Sequence, residues 1–281
     1  MAEILIDVIA DTIEISGIVF LMMVLIDFFD VQTRGKIKSF INRSRWNQYL
    51  SSSFLGATPG CFGSFINVSM YMHGFLGLGA VSAGMIATCG DEAFVMLALF
   101  PEKAIALFFV LFIIAIPAGW LFDFLASIFN IKKSAACNLH EVHTQEKERD
   151  YKHYFTVHIW RHIFLKHVLR IIVWTFVSLL AIYLFLDIIP LEDFARKNMG
   201  WIILIAALVG IIPESGPHII FVTLYSTGLI PFSVLLTSSI SQDGHGMLPM
   251  FSYSMRDSMV IKSYNLLIAL CVGWIAFAFG L

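Results

Sequence analysis

The chain has 281 residues, of which 58% are hydrophobic and 14% charged, including 26 phenylalanines, and its mean hydropathy is +0.82. Soluble domains hold about 45–50% apolar residues, so a water-soluble globular domain is excluded and an integral membrane protein is indicated. The net charge of −2 says little by itself, because the charges are sorted along the chain rather than spread. A span needs about 20 apolar residues, and full spans are expected near 8–29, 75–100, 104–128, 168–190, 231–255 and 259–280. The first residues lack a basic n-region and lead into a full span, so no cleavable leader is expected. Cys61, Cys89, Cys137 and Cys271 show no paired spacing, which argues against a disulfide framework or zinc ribbon.

Two apolar stretches fall outside those spans, 47–74 and 200–229, and each has a breaker in its middle. The first reads Gly56-Ala57-Thr58-Pro59-Gly60 and the second Pro213-Glu214-Ser215-Gly216-Pro217. Each arm of such a hairpin has about 12 residues, or about 18 Å of helix, which reaches roughly mid-membrane. The chain also repeats itself. A shift of 154 positions (225 − 71) carries Gly56, Pro59, Ile66, Val68, Tyr71, Gly74, Ile86, Gly90 and Met96 onto Gly210, Pro213, Ile220, Val222, Tyr225, Gly228, Ile240, Gly244 and Met250 without a gap. Shared Gly and Pro positions point to duplication rather than to chance likeness of two apolar segments.

Basic residues assign the sides. Arg34, Lys36, Lys38, Arg43 and Arg45 follow the first span, and Lys132, Lys133, Lys147, Arg149, Lys152, Arg161 and Lys166 fill the middle. Arg170, Arg256 and Lys262 fall on the same side, which leaves Lys103, Arg196 and Lys197 for the other. Cytoplasmic loops carry the Lys/Arg excess, so both termini are expected outside. This works only if the two hairpins enter and return from opposite sides. The expected fold class is therefore an all-α integral membrane protein of two inverted-topology repeats, each with a re-entrant hairpin and a broken transmembrane helix. The expected division is a first repeat over 1–130, a cytoplasmic His-containing linker over 131–166 and a second repeat over 167–281. In the alternative topology both hairpin segments cross fully, as kinked helices.

The second span of each repeat is interrupted by polar groups: Thr88-Cys89-Gly90-Asp91-Glu92 and Ser241-Gln242-Asp243-Gly244-His245-Gly246. Ionisable groups at such depth are expensive and mark ion or substrate paths. The hairpin tips add Cys61, Ser64 and Asn67 in the first half, and Glu214, Ser215 and His218 in the second. The candidate substrate or metal residues are Asp91, Glu92, Glu214, His218, Asp243, His245, Asn67 and Gln242, with Cys61 and Cys89 nearby. Pro59, Gly60, Gly90, Pro213, Gly216 and Gly244 would keep the backbone open. Carboxylates with imidazoles suit divalent transition metals, and a thiolate would shift preference toward softer ions. No Lys or Arg occurs from Trp46 to Glu102 or from Asn198 to Met255, so a cation fits better than an anion. Each of these residues could instead cap a helix or fill a packing position.

Asp7, Asp11 and Glu14 lie on one face of the first helix by their i, i+4, i+7 spacing. Asp11 and Glu14 could form an outward-facing proton relay; the plainer alternative is an exposed helix start, where acids complement the macrodipole. His140, His143, His153, His158, His162 and His167 form a sparse tract that would bind metal or sit among headgroups. His140-Glu141-Val142-His143 lacks the zinc-protease spacing, and no P-loop, nucleophile elbow or dinucleotide fingerprint occurs, so an enzyme is not expected.

The segments Gly210-Ile-Ile-Pro213-Glu214-Ser-Gly216-Pro217-His218 and Ser241-Gln-Asp243-Gly244-His245-Gly-Met-Leu-Pro249 resemble a family of ten-helix heavy-metal exporters, whose members are labelled arsenic-efflux proteins or manganese transporters. Six spans plus four hairpin arms give the same ten, and the resemblance covers nearly the whole chain. It implies a bacterial inner-membrane transporter that works in efflux. The joint expectation is proton-coupled outward movement of a divalent, Mn-like transition-metal ion, with no tightly bound cofactor. The expected partners are the bilayer, a small-ion substrate, no nucleic acid and a second copy as homodimer. The alternative is a sodium- or proton-coupled transporter of an arsenical oxyanion or organic anion.

Overall fold

The computed structural model describes residues 2–32, 41, 43–131, 133, 169, 172, 173, 175–177, 179, 180, 201–214 and 216–281. Every regular element among them is helical. Helix α1 (Ala2–Gln32) opens the chain. A short hairpin follows, α2 (Arg45–Gly56) and α3 (Phe62–Met72). Ser44 starts α2 by accepting a hydrogen bond from the Trp46 amide, as an N-cap serine does. Pro59 ends the first arm, because proline disfavours helical geometry in the residue before it. Ser52 and Asn67 lock the two arms together. The Ser52 hydroxyl donates to Asn67 Oδ1 at 3.0 Å, and Asn67 Nδ2 donates to the Ser52 carbonyl at 2.9 Å.

Next come α4 (Leu78–Ala87) and α5 (Glu92–Leu99), two pieces of one line broken at 88–91, and then the long α6 (Pro101–Ile128). The second half has the same order: α7 (Ile202–Val209), α8 (Gly216–Ser226), α9 (Phe232–Ser241), a 3-10 turn (Gly244–Gly246), α10 (Met247–Tyr253) and α11 (Met255–Ala278). Shifted by 154, the bounds of α3 become those of α8 and the bounds of α4 become those of α9. The break geometry repeats as well. Thr88 (φ −80°, ψ 140°) matches Gln242 (φ −74°, ψ 142°), and Gly90 and Gly244 both have φ 56°.

Packing follows the same plan. In the first half α4 lies against α2 and α6, and in the second α9 lies against α7 and α11. The glycine pair Gly56 and Gly210 makes the close approach possible. A methyl on Gly56 would collide with the backbone of Gly84, and one on Gly210 with the side chain of Ser241. Contacts across the halves are reciprocal: α3 meets α10 as α8 meets α5, and α4 meets α11 as α9 meets α6. Equivalent helices of the two halves thus exchange partners.

Among the described residues three stretches are long and apolar enough to cross a membrane: Leu78–Leu99, Pro101–Ile128 and Met255–Ala278. The first is mostly buried inside the protein. The other two bury one face and expose Phe109, Ile113, Trp120 and Phe124 on α6, and Leu267, Trp274 and Ile275 on α11. Helices that are apolar on both faces belong in a core or against lipid, and these two occupy the rim. Of the expected span at 168–190 only scattered residues are described, and the six histidines of the central tract lie outside the described residues.

Candidate functional site

Two helix breaks and two hairpin tips converge on one place. A methyl on Gly244 would lie 3.7 Å from Gly90 Cα and 3.4 Å from Cys61 Sγ. The repeat-equivalent glycines thus face each other, and their positive φ keeps the broken backbone compact where an L side chain would be strained. The tip of the first hairpin is tied to the break beside it. The Gly60 amide donates to the Gly90 carbonyl at 3.0 Å, and the Cys61 amide donates to Asp91 Oδ1 at 3.2 Å.

Above this junction opens a cavity of about 510 Å³. It is lined by Asp11 and Glu14 from α1, Pro59, Gly60 and Cys61 from the first tip, Asp91 from the first break, Glu214 and Gly216 from the second tip, and His245 from the second break. The ligating atoms of Cys61, Asp91 and His245 lie within 4.8 Å of one another. His245 is the hub. Its Nδ1 is 3.6 Å from Cys61 Sγ and 3.5 Å from Asp91 Oδ2, and its Nε2 is 3.8 Å from Glu214 Oε1. Glu214 is held in turn by the Gly216 amide, which donates to its Oε2 at 2.7 Å. Carboxylates, an imidazole and a thiol at such spacing are a donor set for a transition-metal ion. The side chains of His245 and Glu214 are mostly buried, whereas that of Asp91 is half exposed, so the cluster sits at the inner end of an open cleft.

The sequence-expected residues separate into three groups. Asp91, Glu214 and His245 meet in the cavity, and Pro59, Gly60 and Gly216 shape its wall. Asp11 and Glu14 line it too, although Glu14 is exposed rather than enclosed. Glu92 and Gln242 are buried beside the Gly90 break and are not among the lining residues. Pro213 ends the arm of the second hairpin, and Gly90 and Gly244 form the junction.

Asp243, His218 and Asn67 are engaged elsewhere. Asp243 Oδ2 pairs with Lys262 Nζ at 2.6 Å, and its Oδ1 accepts from Asn265 Nδ2 at 2.8 Å. His218 is fully buried between the Ser238 hydroxyl at 3.3 Å and the Ile212 carbonyl at 3.3 Å, where it ties the hairpin tip to α9. Asn67 is occupied by Ser52, as described above.

Two residues carry more than their sequence positions indicate. Cys61 stands beside the tip in the sequence, but only the fold shows that its sulfur faces His245. Lys262 lies on α11, beyond the window free of Lys and Arg, and its side chain reaches back to the break. It donates to the Gly210 carbonyl at 2.8 Å and lies 3.4 Å from the Ser241 carbonyl. The signal available was its place on a helix apolar enough to cross a membrane, where a buried charge needs a partner.

A family described as "Putative, 10TM heavy-metal exporter" matches residues 1–173 and 158–279. No curated protein and no solved structure matches the chain. The two matched segments between them take in nearly every residue, including both hairpins, both breaks and the whole cavity; the chain belongs to this family of ten-span membrane heavy-metal exporters.

Proposed function

We propose that this protein exports a divalent transition-metal ion across the bacterial inner membrane by alternating access between two inverted repeats, with protons as counter-ion. The observation that carries the reading is the convergence of Cys61, Asp91 and His245 within 4.8 Å, with Glu214 on the far imidazole nitrogen. The reciprocal packing of the halves supports rocking of one repeat against the other, and the Lys/Arg distribution supports their opposite orientation and outside termini. The hairpins then re-enter rather than cross, and their tips meet near the midplane, where transporter sites of this kind lie.

The donor set refines the metal. A Mn-like ion prefers carboxylate, carbonyl and water oxygens, whereas sulfur and imidazole suit zinc and its neighbours. Cys61 therefore moves the reading from Mn²⁺ toward Zn²⁺. Metal binding requires deprotonated ligands and releases protons, so metal and protons compete for the same cluster. That competition couples outward metal to inward proton. An anion is disfavoured: it would meet Asp11, Glu14, Asp91 and Glu214 in the cavity. The start of α8, which could have held an anion, is already taken by Glu214.

Thermal unfolding of the detergent-purified protein against Zn²⁺, Co²⁺, Mn²⁺, arsenite, phosphate and citrate tests the reading. A ligand that binds only the folded state raises Tm with the logarithm of its saturation. Zn²⁺ should give the largest rise, and Cys61→Ser and His245→Ala should each remove most of it. A rise with an anion and none with any divalent metal would overturn the substrate class.

A further inference from the structure

Behind the cavity, on the other side of the first break, lies a buried carboxylate that the metal cluster does not use. Glu92 is 1% exposed, and neither of its oxygens has a hydrogen-bond partner among the described residues. Gln242, from the opposite repeat, is 2% exposed, and its amide oxygen is also without a partner among the described residues. Both point at one spot. A methyl built on Gly90 would lie 2.6 Å from Glu92 Oε2 and 3.5 Å from Gln242 Oε1. Orphaned buried acceptors are rare in folded proteins and call for an explanation. The start of α5 offers Glu92 a favourable dipole.

The other break also holds a buried acid, three positions earlier in the repeat. There the acid of the break, Asp243, is neutralised by Lys262 Nζ, which also draws in the carbonyls of Gly210 and Ser241. That ammonium is a cation tethered to the chain, held by a carboxylate and backbone oxygens. The position equivalent to Lys262 (262 − 154 = 108) is Phe108. Among the described residues no Lys or Arg pairs with Glu92.

We propose that Glu92 and Gln242 form a second cation site at the Gly90 break, distinct from the metal cluster, and that it takes Na⁺. The charge of the site sets the valence, since one carboxylate balances one positive charge. The donors set the type of ion. Both are oxygens, which suit hard cations and not the softer metals that thiol and imidazole select. Unwound backbone at a helix break exposes further carbonyls, as it does for Na⁺ in other broken-helix transporters. The ion would do for Glu92 what Lys262 Nζ does for Asp243, at a different position of the repeat: under the shift of 154 Asp243 falls on Cys89 and Glu92 on Gly246.

The test is thermal unfolding of the full-length purified protein in NaCl, KCl or choline chloride at constant ionic strength, with Zn²⁺ titrated separately. Na⁺ should raise Tm by about 3 °C or more at ~10 times its Kd, and Glu92→Gln and Gln242→Met should each abolish that rise while keeping the Zn²⁺ response. Cys61→Ser should do the reverse, losing Zn²⁺ and keeping Na⁺. No Na⁺-specific rise in the parent protein would overturn the site, as would a K⁺-specific rise. A Glu92→Gln protein that is as stable without Na⁺ as the parent, and in which the parent showed no Na⁺ response, would mean that the carboxyl is simply protonated. Failure of the Zn²⁺ arm alone would overturn the metal reading and leave this one standing.

Discussion

Replacing Lys262 by Met should destabilise the protein sharply, and replacing Asp243 as well should restore most of the loss. The pair is 2.6 Å apart, with side chains 5% and 0% exposed. Lys262→Met leaves the Asp243 carboxylate buried with only the Asn265 amide at 2.8 Å. Removing one partner of a buried ion pair costs about 3–5 kcal/mol, because the other charge is left uncompensated. Asp243→Asn strands the ammonium between two carbonyls and should cost about as much. The double variant removes both charges and should be no worse than either single one, which implies a coupling of about 3 kcal/mol or more. At roughly 2–3 °C per kcal/mol for a chain of this size, each single variant should lose about 6–15 °C in Tm. The measurement is thermal unfolding of all four proteins in one detergent, with the Zn²⁺ response recorded for each. Additive losses would show that the two side chains do not act as a pair. An Asp243→Asn protein that keeps its Tm but loses its Zn²⁺ response would return Asp243 to the metal cluster and refute the assignment made from the geometry.

Two further outcomes follow from the same structure. Gly244→Ala forces a side chain onto a backbone at φ 56°, at about 1–2 kcal/mol, and sets a methyl in contact with Cys61 Sγ and Gly90 Cα; the Zn²⁺-induced rise in Tm should fall while the protein still purifies as a folded species, and an unchanged rise would remove the junction from the site. Asn67→Ala leaves the Ser52 hydroxyl and carbonyl without their partner and should cost about 1–3 kcal/mol in thermal unfolding, with the Zn²⁺ response intact; loss of that response at unchanged stability would make Asn67 a ligand after all.

The breaks and hairpins were legible because their signals are local. Proline and glycine act on their own backbone and on the residue beside them, so the shift of 154 that aligns Pro59 with Pro213 and Gly90 with Gly244 also aligns the helix bounds. Which polar residues share a cavity is a different kind of information. Asp91 and Glu92 are neighbours in the chain, yet one lines the cleft and the other is buried behind the break. His218 and His245 have the same chemistry, but one is taken up by a hydroxyl and a carbonyl while the other faces a thiol and two carboxylates. Lys262 escaped because a long stem lets a charge act far from its own backbone, so a window free of basic residues in the sequence did not mean a break free of them in space. Asp11 and Glu14 are the opposite case: helical spacing alone put them on one face, and that face is the one that lines the cavity.

The repetition also bears on why the proposed metal cluster takes unlike donors from the two halves. Under the shift of 154 Asp91 corresponds to His245 (91 + 154 = 245), and Gly60 corresponds to Glu214 (60 + 154 = 214). The reciprocal packing of the halves brings equivalent positions together at the junction, so identical residues there would face each other as a pair of carboxylates or a pair of imidazoles. Two carboxylates in contact repel and hold a shared proton; two imidazoles lack the charge to neutralise a divalent ion. Placing the acid in one repeat and the imidazole in the other gives a pair that attracts in the absence of metal and offers unlike donors in its presence. Beside the same junction Asp243 pairs with Lys262, whereas Glu92 has no ion-pair partner among the described residues. Two halves of like backbone, with different side chains at equivalent places, thus give the proposed site a charge balance of its own.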